Sequence, residues 1–142
     1  MTFTIEPFSN QSFELGEGPH WHPILNRLFF VDITKGIAAT IDADKNIQIL
    51  LEENDTLSMV IPVDNQPDQV VVAIGTSVYL FNTTTGEKTL IDQITKQGVR
   101  FNDAKCDPYG RLWIGTMGLE SSPGVLEPEL GLSCFIFFQR SN

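Results

Sequence analysis

Apolar residues in this chain occur in short runs that are separated by clusters of Gly, Pro, Asn and Asp. Runs that are rich in β-branched and aromatic residues and bounded by turn residues are typical of strands. No segment keeps apolar residues at helical spacing over the roughly 12 residues that a stable helix needs. The pattern therefore predicts an all-β fold. The predicted strands lie at 18–22, 27–33, 37–41, 47–51, 57–63, 69–74, 77–82, 88–92, 104–107, 111–116 and 132–138.

The strand pattern repeats with a constant spacing. Leu28, Val70 and Leu112 lie 42 residues apart. The same spacing relates two further sets of three positions, at 30, 72 and 114 and at 27, 69 and 111. A period of about 40 to 45 residues with four strands in each unit is typical of a β-propeller blade. We expect blades at about 13–55, 56–98 and 99–142. The third is incomplete, and the segment 119–130 is inserted in it as a loop. The chain thus contains about two and a half blades.

Composition limits the classes of function. The 142 residues are 42% hydrophobic and 19% charged, which indicates a single folded domain. The net charge of -9 argues against partners with an anionic surface, such as nucleic acid or an anionic membrane. Because no secretory leader or long apolar run is present, we expect a cytoplasmic protein. Cys106 and Cys134 have no short pair spacing and are predicted to be reduced and packed as small hydrophobic residues.

The densest group of polar residues lies between 100 and 117. Arg100, Asn102 and Asp103 precede the turn at 107–110, and a strand follows. Polar side chains at strand ends are where binding sites concentrate. The alternatives are that Asn102 and Asp103 cap a turn and that Arg100 is a surface charge. Trp113 and Phe29, at equivalent positions of the repeat, are predicted to lie in the core between blades.

The histidine pair at 20 and 22 and the carboxylate of Glu17 can both be explained without a metal site when the residues are considered alone. His20 and His22 share one face of a strand, but no third nitrogen or sulfur ligand accompanies them, so we predict packing or hydrogen bonding rather than metal binding. Glu17 lies between two glycines and would by itself be a solvated turn carboxylate.

Three segments together resemble the SMP-30/gluconolactonase family, which includes regucalcin-like and luciferin-regenerating-enzyme-like proteins. They are Gly-Glu-Gly-Pro-His-Trp at 16–21, Leu-Phe-Phe-Val-Asp-Ile at 28–33, and residues 100–117. The resemblance covers about residues 13 to 132. It implies a six-bladed propeller of roughly twice this length, of which this chain holds the N-terminal half.

The resemblance also implies a site. Glu17 matches the family's metal-binding Glu, and the other protein ligands, an Asn and an Asp, would lie in later blades. Carboxylate and amide oxygens suit divalent cations such as Ca²⁺, Zn²⁺, Mg²⁺ or Mn²⁺. Arg100, Asn102 and Glu120 match substrate-binding positions.

The implied reaction is hydrolysis of a sugar lactone, in which a metal polarises the carbonyl and a carboxylate activates water. That carboxylate is expected in the missing half, so no catalytic residue is assigned within this chain. The alternatives are a truncated, non-catalytic fragment and a calcium-binding regulatory protein without turnover. An open ring also exposes the apolar run 135–138, which predicts self-association through blade edges.

Overall fold

The structure is a computed structural model that describes residues 2–122, 125–126 and 134–137. These residues form thirteen strands and no helix, which confirms the all-β prediction. The strands are β1 (Gly16–His22), β2 (Arg27–Asp32), β3 (Ile37–Asp42), β4 (Ile47–Glu52), β5 (Leu57–Val63), β6 (Gln66–Ile74), β7 (Ser77–Asn82), β8 (Lys88–Gln93), β9 (Val99–Cys106), β10 (Arg111–Gly118), β11 (Glu120–Ser122), β12 (Val125–Leu126) and β13 (Cys134–Phe137).

The strands form antiparallel sheets that repeat along the chain. The first sheet has the order β1-β2-β3-β4 and the second has the order β5-β6-β7-β8. The third contains β9, β10 and β13, with β10 in the middle. This is the arrangement of a partial β-propeller, as predicted. The segment predicted as an inserted loop instead contains a small hairpin, because β11 pairs with β12. The limits of the blades at 13–55, 56–98 and 99–142 stay a prediction.

The cores lie between successive sheets. Side chains alternate between the two faces of a strand, so β6 sends Val70 and Val72 toward the first sheet and Val71 and Ala73 toward the third. The core between the first and second sheets includes Phe29, Val31, Leu57, Val60, Val70 and Val72. The core between the second and third sheets includes Met59, Val71, Ala73, Phe101, Leu112 and Ile114. The predicted burial of Phe29 is confirmed.

Two burial predictions are wrong. The Trp113 side chain is 37% exposed, because β10 turns Leu112 and Ile114 toward the second sheet and Trp113 therefore lies on the opposite face. Cys106 is a free, exposed cysteine. It ends β9, which is an edge strand of its sheet. The side chains of Cys134 and of the apolar run 135–138 lie outside the described residues. No helix in the described ranges has the length and apolar character needed to span a bilayer.

The turn between β9 and β10 is built around the Asp107 carboxylate. Its Oδ1 accepts hydrogen bonds from the backbone N–H groups of Tyr109 (2.9 Å) and Arg111 (3.0 Å). Its Oδ2 accepts from Arg111 Nε (2.5 Å) and Trp113 Nε1 (3.1 Å). Desolvation raises the pKa of Asp107, but the hydrogen bonds from Trp113, Arg111 and Tyr109 outweigh it and lower the pKa to about 2. The turn thus depends on an ionised carboxylate.

Acid is expected to weaken this turn. The pKa of Asp107 is lower in the folded chain than in the unfolded chain, where it lies near 3.9. The stabilisation it provides is therefore complete above about pH 4 and is lost as the pH falls toward about 2. Chemical denaturation of the wild type and of Asp107→Asn between pH 6 and pH 2 measures this difference. The stability gap between them should close on acidification. A stability difference between the two proteins that stays constant with pH would contradict the prediction. Asp44→Asn, in an exposed turn, is the control.

Candidate functional site

The first strands of the three main sheets, β1, β5 and β9, begin at the same end of the propeller, and we call them the inner strands. A series of backbone hydrogen bonds joins their starts: Ile33 N–H to Leu15 O (3.0 Å), Leu57 N–H to Ile33 O (3.2 Å), Gly75 N–H to Thr56 O (2.8 Å) and Phe101 N–H to Gly75 O (2.9 Å). Each bond links the start of β1, β5 or β9 to the end of a second strand, β2 or β6. Glu17 near the start of β1 and Arg100 near the start of β9 are therefore at one end, with the start of β5 between them.

Each of these inner strands contains a bulge close to its start. In β1, residues 18 and 19 lie opposite one residue of β2, because Glu17 pairs with Val31 and His20 pairs with Phe29. In β5, Ser58 is the extra residue. In β9, residues 102 and 103 lie opposite Gly115 alone. A bulge bends the strand and re-aims its side chains. The bulges in β1 and β9 therefore bend these strands next to Glu17 and at Asn102.

The backbone around Glu17 is held from both sides. The Asp32 side chain is buried (3% exposed), and its carboxylate accepts hydrogen bonds from the N–H groups of Glu14 (2.8 Å) and Leu15 (3.1 Å). Gly18 follows Glu17 with φ of 62°, a conformation that favours glycine. The Glu17 side chain itself is exposed. A fixed backbone with an exposed carboxylate suits a ligand-binding position.

Arg100 lies in β9 of the third sheet, and Glu120 begins the small hairpin that follows β10. Arg100 is half-buried, and its Nη1 donates to the carbonyl oxygen of Phe101 (2.9 Å). Burial lowers the pKa of the Arg100 guanidinium, and the nearby Glu120 carboxylate raises it. Glu120 opens β11 and is exposed. A cavity of about 420 Å³ lies beside Arg100 and is lined by residues that include Asp55, Thr76, Lys96, Arg100 and Leu119.

Asn102 and Asp103 lie inside β9 rather than in a turn before a strand. The alternative that they cap a turn is therefore wrong, since β9 already begins at Val99. Both side chains are exposed, and the Asp103 Oδ1 accepts a hydrogen bond from Ala104 N–H (2.7 Å). In the described part of the chain, Glu17 makes no hydrogen bond or ion pair with Arg100 or Asn102. Glu17 is thus at the same end as these residues but separate from them.

The residues present do not complete a divalent-metal site. Within residues 2–122, 125–126 and 134–137, no group of three or more His, Cys, Asp or Glu side chains is placed to hold a metal ion. Divalent cations that prefer oxygen take six or more ligands, and several of them usually come from the protein. Glu17 is therefore a single candidate ligand.

A second cavity, of about 210 Å³, lies farther along the inner strands, and the sequence did not indicate it. Its lining includes Gly18, His20, Ser58, Asp103 and Lys105. Burial is the main cause that lowers the pKa of His20, and the charges of Lys105 and His22 add to it. The hydrogen-bonding role predicted for His22 is confirmed, because its Nδ1 accepts from Leu25 N–H (3.1 Å). His20, Asp103 and Lys105 line the same cavity because the fold places the inner strands side by side. No local sequence motif encodes that arrangement.

Comparison with known proteins gives one family. The model of the SMP-30/Gluconolactonase/LRE-like region matches residues 15–131. The chain is 32% identical over 108 residues to the putative sugar lactone lactonase YvrE of Bacillus subtilis, covering 75% of this chain and 36% of that protein. It is 31% identical over 136 residues to human regucalcin, covering 94% of this chain and 44% of that protein.

Solved structures agree with these relatives. A luciferin-regenerating enzyme superimposes with a TM-score of 0.76 at 26% identity, covering 87% of this chain and 42% of that protein. The chain thus spans less than half the length of the proteins it matches.

Proposed function

Because the chain belongs to the SMP-30/Gluconolactonase/LRE-like family, whose members include lactonases and regucalcins, we propose that it carries the sugar-recognising part of a metal-dependent sugar-lactone hydrolase. One observation carries the proposal. Arg100 lines a cavity of about 420 Å³ at the end of the propeller where Glu17 is also exposed.

The Arg100 and Glu120 side chains suit a polyhydroxylated ligand. The Arg100 guanidinium has a planar set of donors that can bind the lactone oxygen or hydroxyl oxygens. The Glu120 carboxylate only accepts hydrogen bonds, so it complements hydroxyl groups that donate. Asn102 supplies both a donor and an acceptor from the bulge of the same strand. These residues bind and orient the sugar lactone.

Glu17 is the proposed metal ligand. A divalent cation, Ca²⁺, Zn²⁺, Mg²⁺ or Mn²⁺, supplies polarisation of the lactone carbonyl when it is bound. The described residues provide one carboxylate for it rather than a complete site. We therefore propose that the 142-residue chain binds the sugar without turning it over. We also propose that it is a cytoplasmic protein. Its ligand is proposed to be a small molecule, since the net charge of -9 opposes nucleic acid and anionic membranes.

The test is binding of a sugar acid to the purified chain. Gluconate, the opened form of a glucono-lactone, is stable in water and can be titrated by ligand-observed NMR. Arg100→Ala should weaken binding at least about tenfold, equivalent to roughly 1.4 kcal/mol. Arg27→Ala is the matched control, because Arg27 pairs with His22 at the far end of β1 and donates to Gln48.

Two results would contradict the proposal. Equal binding by wild type and Arg100→Ala would remove Arg100 from the site. Lactone hydrolysis that is stimulated by Ca²⁺, Zn²⁺, Mg²⁺ or Mn²⁺ and abolished by Glu17→Gln would show turnover by this chain. Glu87→Gln, in an exposed turn of the second sheet, is the control for that variant.

A further inference from the structure

The cavity of about 210 Å³ between the inner strands is separate from the proposed sugar site. Its wall is formed by residues of β1, β5 and β9, and neither Glu17 nor Arg100 lines it. It is far larger than the space that a single water molecule needs. The cavity therefore has room for a small ligand of its own.

Ser58 gives this cavity a buried hydrogen-bonding group. The Ser58 side chain is 3% exposed and lines the cavity. Among the residues that the structure describes, none forms a hydrogen bond with the Ser58 hydroxyl. A buried hydroxyl without a hydrogen bond is unfavourable, so each such group in a folded protein calls for an explanation. A ligand in the cavity that accepts from Ser58 Oγ would provide one.

The bulge in β5 accounts for the position of Ser58. Leu57 pairs with Ile74 and Met59 pairs with Ala73, so Ser58 is the extra residue of the bulge. Leu57 and Met59, on either side of it, belong to the two main cores. A bulge re-aims a side chain, and bulges are over-represented next to active sites. Ser58 is thus a polar residue inserted between two core residues, at a point where the strand can direct it to a ligand.

The two neighbouring inner strands supply further donors. His20 of β1 and Lys105 of β9 both line the cavity. The Lys105 ammonium group carries three donors, and it makes no ion pair within residues 2–122, 125–126 and 134–137. A neutral imidazole donates through one ring nitrogen. Each of the three inner strands therefore brings a donor group to the same cavity.

The electrostatic potential at His20 is positive. Burial lowers the pKa of the His20 imidazole, and the charges of Lys105 and His22 lower it further. No carboxylate is among the causes of that shift, although Asp103 also lines the cavity. The Oδ1 atom of Asp103 already accepts a hydrogen bond from Ala104 N–H (2.7 Å). The side of the cavity near His20 therefore favours a negatively charged ligand.

We propose that this cavity binds a small oxyanion, a carboxylate or a phosphate group, through Lys105, Ser58 and His20. Lys105 supplies the opposite charge, and the Ser58 hydroxyl and the His20 imidazole donate hydrogen bonds to the oxygens of the anion. The lining is not suited to a metal ion, since no three His, Cys, Asp or Glu side chains of the described chain are placed to hold one. The site does not depend on sugar binding at Arg100.

The test is an NMR titration of the purified chain with sodium acetate and, separately, with sodium phosphate, at constant ionic strength. Of the two histidines, His20 lines the cavity and His22 does not. Either anion should shift the His20 signals more than those of His22. It should also raise the pKa of His20, because a nearby negative charge favours the protonated form. The titratable groups that face His20 are Lys105, Asp103 and Cys106 of β9 and His22 of its own strand, whereas β5 contributes none.

Three substitutions assign the contacts. Lys105→Ala should weaken binding at least about tenfold and Ser58→Ala at least about fivefold, because each removes a donor to a charged acceptor. Ser58→Ala should fold, since an apolar group of similar size replaces a buried, unpaired hydroxyl. Asp103→Asn should instead strengthen binding by about twofold or more, because it removes a like charge. Lys35→Ala is the control, since Lys35 pairs with Glu14 at the surface.

The outcomes decide the proposal in either direction. Binding of acetate alone or of phosphate alone would support the site and identify the group that it takes. If neither anion moves the His20 signals, the cavity is not an anion site. Equal binding by wild type, Lys105→Ala and Ser58→Ala would place the anion elsewhere on the chain. Weaker acetate binding by Asp103→Asn would contradict the positive potential assigned to the cavity.

Discussion

Replacing Gly36 with alanine is expected to destabilise the chain by roughly 3–5 kcal/mol, a large fraction of the stability of a single domain. Gly36 has φ of 65°, in the left-handed region that costs alanine about 1 kcal/mol. A Cβ at this position would also overlap the backbone carbonyl oxygens of Glu53 and Asp55. Backbone atoms cannot swing aside as a flexible side chain can. The segment between β4 and β5 would therefore have to move.

This segment is tied to the site end of the propeller. The carbonyl oxygen of Gly36 accepts a hydrogen bond from Glu53 N–H (2.9 Å), and Gly36 N–H donates to Ile33 O (3.2 Å). The same Ile33 oxygen accepts from Leu57, the first residue of β5. A shift at Gly36 thus disturbs the backbone bonds that align β1 with β5.

Gly86→Ala is the matched control for this prediction. Gly86 has φ of 77°, but an added Cβ would meet nothing within 4 Å. Its replacement should cost only about 1 kcal/mol, from the backbone conformation alone. Urea denaturation of both variants measures the two free energies of unfolding. Equal losses in the two variants would mean that the contact with Glu53 and Asp55 is not what requires glycine at residue 36.

Phe101→Ala is expected to have a comparable effect, a loss of roughly 3–5 kcal/mol in the free energy of unfolding. The Phe101 side chain is 1% exposed and lies in the core between the second and third sheets. Its removal both forfeits buried apolar area and leaves a cavity, because the surrounding strands relax only in part. The backbone N–H of Phe101 also bonds to Gly75 O (2.9 Å), which aligns β9 with the second sheet.

The measurement is again denaturant unfolding, with sugar-acid binding as a second readout. Leu90→Ala is the control, because Leu90 is 50% exposed and its truncation should change stability by less than about 0.5 kcal/mol. Phe101 lies between Arg100 and Asn102, so its loss should also weaken gluconate binding under conditions where the variant is folded. A loss below about 1 kcal/mol in Phe101→Ala would contradict the assigned core.

The site was only partly accessible from sequence. The resemblance to a family pointed to Glu17, Arg100, Asn102 and Glu120, whose roles stay proposals. The effect of the Glu120 carboxylate on the pKa of Arg100 could not be inferred from spacing, because it depends on the hairpin that follows Gly118. The cavity lined by His20, Asp103 and Lys105 was not predicted for a similar reason. Its residues come from different inner strands that meet only in the folded chain.

The amino-acid sequence by itself determined most of the strands and their repeat. These features follow from alternation along the chain and from turn residues, which act over a few positions. Val70, Val72, Leu112 and Ile114 could therefore be placed by counting.

Only the tertiary structure decided the bulges in β1, β5 and β9, since a bulge is a property of pairing between two strands. It also decided the exposure of Trp113, which has the same repeat position and apolar character as the buried Phe29. Burial depends on whether another sheet lies across the face, and the local sequence does not carry that information.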